Sequence, residues 1–113
     1  MTARLPARLE ADSLIRRAEA ARGFAMVLAK GDPDRGQIIL IILERGAPFA
    51  LLERALQSGG DYGWQSNRAM VEKGPEELSQ WISGRRKYDP DLWLIELDVP
   101  DAERFIAETT LIG

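Results

Sequence analysis

Residues 85–98 run Arg-Arg-Lys-Tyr-Asp-Pro-Asp-Leu-Trp-Leu-Ile-Glu-Leu-Asp, a stretch that crowds groups capable of chemistry on both sides of a bend. Asp89 and Asp91, one residue apart, with Glu96 and Asp98 beyond them, are hard oxygen donors of the kind that share a Mg²⁺ or Ca²⁺ ion. Such carboxylates can also polarise a water for hydrolysis. Arg85 and Arg86 carry guanidinium forks that match a phosphate or carboxylate. Arg85, Arg86, Asp89, Asp91, Trp93 and Glu96 are therefore the candidate binding set.

The same residues have a plainer reading. Asp before Pro is routine at a helix-to-strand turn, and Asp91 can bond nearby backbone amides. Cations at a helix C-terminus oppose the negative end of the helix dipole, worth about 0.3–1 kcal/mol each. Neighbouring helix positions point about 100° apart. One arginine can thus pair inward with Asp89 or Asp91 while the other faces solvent. The acids also lack the alternating ligand positions of a Ca²⁺ loop. The balance favours a structural corner, with no metal and no cofactor called for.

Other chemistries are closed. The chain has no His and no Cys, so it has no imidazole base, disulfide, thiolate zinc site or iron–sulfur cluster. Ser13, Ser58, Ser66, Ser79 and Ser83 have no Ser-x-x-Lys partner. Gly31-Asp32-Pro33-Asp34-Arg35-Gly36 lacks the Gly-Lys-Ser/Thr ending of a phosphate loop and the three-glycine dinucleotide fingerprint, and reads as a hairpin connection. A net charge of −3 lacks the basic footprint of a nucleic-acid binder. The charge is uneven, with six bases and three acids in residues 1–30 against one base and five acids in 92–113. That asymmetry implies that the two ends face each other. The longest apolar run, Ile38–Leu43, is of strand length, far from the roughly 18 residues of a membrane span. The first residues contain no signal-peptide core, and together with the lack of Cys this points to the cytoplasm.

The elements that must position the candidate set follow from periodicity. Ala11, Leu14, Ile15 and Ala18 make one apolar helical face over 9–21, with Gly23 placed as a left-handed cap. Residues 24–29 and 37–44 are apolar runs that read as buried strands, pairing as a hairpin at the sheet centre. Residues 49–56 are ambiguous: Pro48 suits a helix start, with Leu51, Leu52, Ala55 and Leu56 on one side, while the short turn before it favours a third antiparallel strand. Residues 59–63 form a loop, and 64–67 a short edge strand whose Trp64 offers an exposed partner surface. Gly74-Pro75-Glu76-Glu77 starts a helix that ends before Asp89-Pro90. Trp81 and Trp93 are packing anchors. Strand 92–98 alternates Trp93, Ile95, Leu97 and Val99 against Leu92, Leu94, Glu96 and Asp98. Asp101 caps a last short helix. The whole is a single α+β domain over 1–113: a mostly antiparallel sheet of four to five strands, two main helices and a short C-terminal helix.

Leu14-Ile15-Arg16-Arg17-Ala18, Gly31-Asp32 with Gly36, and Asp89-Pro90-Asp91-Leu92-Trp93-Leu94-Ile95-Glu96 together resemble the bacterial domain-of-unknown-function family 1491. The Asp-Pro-Asp-Leu-Trp element is the most specific part. The resemblance covers nearly the whole chain and implies a small alphaproteobacterial protein; it brings no activity or catalytic residue.

The functional expectation is a non-enzymatic module that works through a protein partner or as a homo-oligomer, because no catalytic motif exists and apolar strands can leave an open edge. The alternative is an anion- or divalent-cation-binding, even hydrolytic, domain built on the Arg85–Glu96 cluster.

Overall fold

A computed structural model describes residues 5–56, 58–60 and 62–112; Asp61, in the expected 59–63 loop, lies outside them. The elements run α1 (Ala7–Ala20), β1 (Phe24–Ala29), β2 (Ile38–Glu44), β3 (Ala47–Leu56), β4 (Tyr62–Asn67), α2 (Ala69–Glu72), α3 (Pro75–Tyr88), β5 (Trp93–Val99) and α4 (Ala102–Ile112). The strands form one sheet in the order β1-β5-β2-β3-β4. Among the described residues only β2 and β5 pair in parallel; β1–β5, β2–β3 and β3–β4 are antiparallel. The α+β class and the mostly antiparallel sheet match the expectation. The radius of gyration is 13.4 Å, close to the roughly 13 Å of a compact domain of this length.

Helices cover both faces. Ala7, Ala11, Leu14 and Ala18 of α1 and Phe105 of α4 pack on Leu40, Ile42, Leu52, Trp93, Ile95 and Leu97. On the other face Leu78, with Trp81 and Ile82, packs on Ile39, Ile41, Leu51, Leu92 and Leu94. Residues Ile38–Ile42 of β2 are each at most 4% exposed. Burying such side chains stabilises by about 1.5–3 kcal/mol apiece, so β2 anchors the domain.

The expected central hairpin does not form. β5 inserts between β1 and β2, and the 31–36 loop bridges two strands that are not neighbours. The cause is local. Asp32 N–H donates to Asp91 O (3.0 Å) and Trp93 N–H to Gln37 O (2.8 Å), which ties both ends of the bridge to the start of β5. β1 is consequently an edge strand, not a buried one. Phe24 is 76% and Met26 59% exposed, and Val27 and Leu28 are also exposed. Its pairing steps from Val27↔Ile95 to Ala29↔Leu94, leaving Leu28 as an extra residue in a β-bulge.

Helix ends show a second departure. α1 closes with Gly23 N–H to Ala18 O (2.8 Å) and Arg22 N–H to Glu19 O (2.9 Å), the paired bonds of a Schellman cap. The left-handed residue is Arg22, with φ 66°, and not Gly23. Gly23 serves close packing instead: a Cβ there would lie 2.2 Å from Asp98 O. α1 also starts two residues earlier than expected, α4 runs on to Ile112, and the one-turn α2 carries no sequence signal that separates it from the loop before α3. Asp101 caps α4 as expected, its Oδ1 accepting Arg104 N–H at 3.1 Å.

Candidate functional site

The Pro90 corner is built from backbone and one carboxylate. Asp89 N–H closes α3 on Arg85 O (3.0 Å), and Leu92 N–H returns to Asp89 O (3.2 Å). Asp89 Oδ1 accepts Asp91 N–H at 3.1 Å, a side-chain-stabilised turn. The bonding carboxylate is thus that of Asp89 rather than Asp91. Trp93 is 3% exposed and its indole N–H donates to Asp32 O at 2.7 Å.

The 31–36 loop receives this corner. Asp32 Oδ1 accepts Arg35 N–H (2.8 Å) and Asp34 N–H (2.9 Å). These two amides, Arg35 first, hold the Asp32 carboxyl below its ordinary value. The carbonyls of Pro33 and Asp34 accept Arg8 N–H (2.8 Å) and Ala7 N–H (3.1 Å), satisfying first-turn amides of α1 that no helix can satisfy internally. Gly31 permits the contact: a Cβ there would lie 2.0 Å from Asp91 O. One six-residue loop therefore fastens the start of α1, the end of α3 and the start of β5. The sequence marks this loop as turn chemistry but gives no sign of its three partners.

The candidate set does not converge. Arg85 turns away from the corner and pairs with Glu53 of β3 at 2.6 Å, its guanidinium 5.1 Å from the Trp81 ring centroid. The expected pairing with Asp89 or Asp91 is replaced because position 85 faces the sheet. Trp81 is half-buried under that arginine. Arg86 is exposed, and so is Asp91. Glu96 lies three residues beyond Trp93, about 10 Å along the strand, and on the opposite face. Asp98 is further still and accepts Gly46 N–H at 3.1 Å. Among the described residues no three acidic side chains gather as a metal site. Trp64 is buried, 5% exposed, beneath the Arg54 guanidinium at 4.7 Å. It is a core residue, not the exposed surface expected, because its side of β4 faces α4.

Three surface features remain. Arg86 and Lys87 meet Lys30, from just beyond β1, around a cleft of about 510 Å³ that also holds Ser83 and Asp89. A larger cleft of about 780 Å³ separates the end of α1 from α4, with Arg17, Arg22 and Arg104 at its rim. The exposed edge of β1 is the third. Periodicity missed the last two, since it recorded apolar strand residues but not which strand ends at the sheet margin. No described helix is long and apolar enough to cross a membrane.

The fold recurs in solved proteins. The crystal structure of a DUF1491 family protein from Caulobacter crescentus CB15 aligns with a TM-score of 0.72 and 26% identity, over 90% of this chain and 94% of that one. A solution structure of a DUF1491 family protein from the same organism gives 0.74 and 26%, over 92% and 94%. The solution structure of a protein from A. tumefaciens gives 0.73 and 28%, over 91% and 92%. No curated protein matches the chain. The model of the DUF1491 family, described as a protein of unknown function, matches residues 5–107. The chain belongs to the DUF1491 family.

Proposed function

We propose that the protein is a non-enzymatic interaction module of the bacterial cytoplasm that pairs with a second copy of itself through β1. The observation that carries this is the edge itself. Phe24-Ala25-Met26-Val27-Leu28-Ala29 contains no charge and no proline, and Phe24, Met26, Val27 and Leu28 are exposed. Sheet edges that must stay single are ordinarily blunted by charge, especially Lys. β1 has only the bulge at Leu28, which leaves Phe24–Val27 regular.

A second copy suits the edge because antiparallel pairing about a twofold axis is self-complementary. With the axis on Ala25, Phe24 faces the partner subunit's Met26 and the reverse, a favourable sulfur–aromatic contact on each side. No like charges are brought together. The two five-stranded sheets become one.

Light scattering after size exclusion, across a wide concentration range, tests the reading. A dimer is expected that Met26→Lys converts to monomer with an unchanged circular dichroism spectrum; the new lysine lies opposite Glu96 in the β1–β5 ladder and is tolerated there. A strict monomer at the highest concentration overturns it.

A second reading, anion capture, is supported by the convergence of Lys30 with Arg86 and Lys87 around Ser83. Inorganic phosphate and nucleotides should then raise the melting temperature by mass action, and Arg86→Ala should abolish the shift. The carboxylate arrangement lends the divalent-cation version no comparable support.

A further inference from the structure

We propose that the cleft between the C-terminal end of α1 and α4 binds a small amphiphilic anion, a single carboxylate or phosphate carried on an apolar body. The argument begins with charge. Arg17, Arg22 and Arg104 line this cleft together with Asp101 and Glu108. Neither acid pairs with Arg17 or Arg22. Asp101 Oδ1 caps the first turn of α4, and Glu108 lies 3.7 Å from Arg104, one helical turn on. Among the described residues no carboxylate pairs with Arg17 or Arg22. The basic N-terminal part of the chain and its acidic C-terminal part do meet here, yet they meet as Arg17 over the Phe105 ring, 5.3 Å from its centroid, rather than as ion pairs. Three guanidinium groups against two carboxylates leave a net positive charge at the place where it was expected to cancel.

The second argument is Arg22 itself. It occupies the left-handed position of the α1 cap with φ 66°, where glycine is the residue of least strain. An arginine, rather than the glycine such a cap favours, thus stands on the cleft rim. The third is the floor. Ala20, Ala21 and Pro100 give it an apolar lining, backed by Val99 and Phe105, which are themselves only 2% and 3% exposed. Guanidinium groups above an apolar trough match a ligand with one charged end. An inorganic ion alone would leave the trough unused, and an uncharged chain would leave the arginines unused.

Decanoate and decyl phosphate serve as probes below their micelle concentrations, with decanol and inorganic phosphate as controls, followed by amide chemical shifts of the ¹⁵N-labelled protein. Saturable shifts confined to residues 17–23 and 99–108 are expected with the two amphiphiles; which of them binds tighter identifies the head group. Arg22→Gly suits the backbone, so it should fold at least as well as the parent while weakening binding about tenfold, the equivalent of one lost charged contact. Arg17→Gln should weaken it similarly. Binding of decanol equal to that of decanoate, shifts centred on residues 24–28, undiminished affinity in Arg22→Gly, or no saturable shift with either amphiphile would each overturn the proposal.

Discussion

The indole nitrogen of Trp93 donates to the carbonyl of Asp32 across 2.7 Å of space and 61 residues of sequence. This bond joins the corner after α3 to the loop before β2, and it makes the acidic corner a fastening. Trp93→Phe keeps one aromatic ring, deletes the donor and leaves a small cavity where the indole packed. Asp32 O retains Gly36 N–H at 3.2 Å, so no acceptor is stranded. A loss of about 1–2 kcal/mol is expected, read as a lower midpoint in urea unfolding with an unchanged slope.

Gly31→Ala tests the same clasp from the other side. The methyl group would sit 2.0 Å from Asp91 O, a backbone atom that cannot rotate away. Overpacking of this kind costs about 3 kcal/mol. Calorimetry should show a melting temperature well below that of Gly59→Ala, where a Cβ meets nothing within 4 Å.

Asp32 gives the clasp a pH signature. Its folded carboxyl titrates below the ordinary value of 3.8 because two amides stabilise the anion. The stability it contributes is present above the unfolded value and is lost as pH falls through the folded one. Asp32→Asn should therefore be less stable than the parent at pH 6, and the gap should close in thermal melts run from pH 4 downwards.

On the α1 side of the sheet, Glu10 pairs with Arg54, their side chains 10% and 15% exposed. Breaking a buried pair by removing one partner typically costs about 3–5 kcal/mol. Glu10→Ala should fall near the lower end of that range because both groups keep some water. Glu10→Leu combined with Arg54→Met should recover most of the loss, and a double-mutant cycle by denaturation measures the coupling.

Arg22→Gly runs in the opposite direction. Relieving a left-handed non-glycine residue gains about 1–2 kcal/mol, while the freer unfolded chain returns part of it. A net gain of about 0.5–1 kcal/mol is expected, visible as a raised unfolding midpoint.

Local pattern sufficed for what is local. The alternation of Trp93 to Val99, the Gly74-Pro75 helix start and the Asp101 cap all stand where the residues put them. Pairing partners were beyond reach, because β1 and β2 are both apolar runs and either fits a centre or an edge. Contacts of Gly31 and Gln37 with a corner some 60 residues later in the chain decide the matter, and nothing local announces them. The candidate site shows the same division. Asp89 and Trp93 act at the corner as their types suggest, whereas Arg85 answers to Glu53, 32 residues earlier in the chain.

The parallel β2–β5 pair at the middle of the sheet has a consequence for biogenesis. β5, made long after the strands on either side of it, must slide into a slot between them. Until then, the margins of β1 and β2 stand open, and neither has its final neighbour. Such distant closure slows folding and exposes a nascent chain to misassembly, so the native sheet cannot form until β5 has been made.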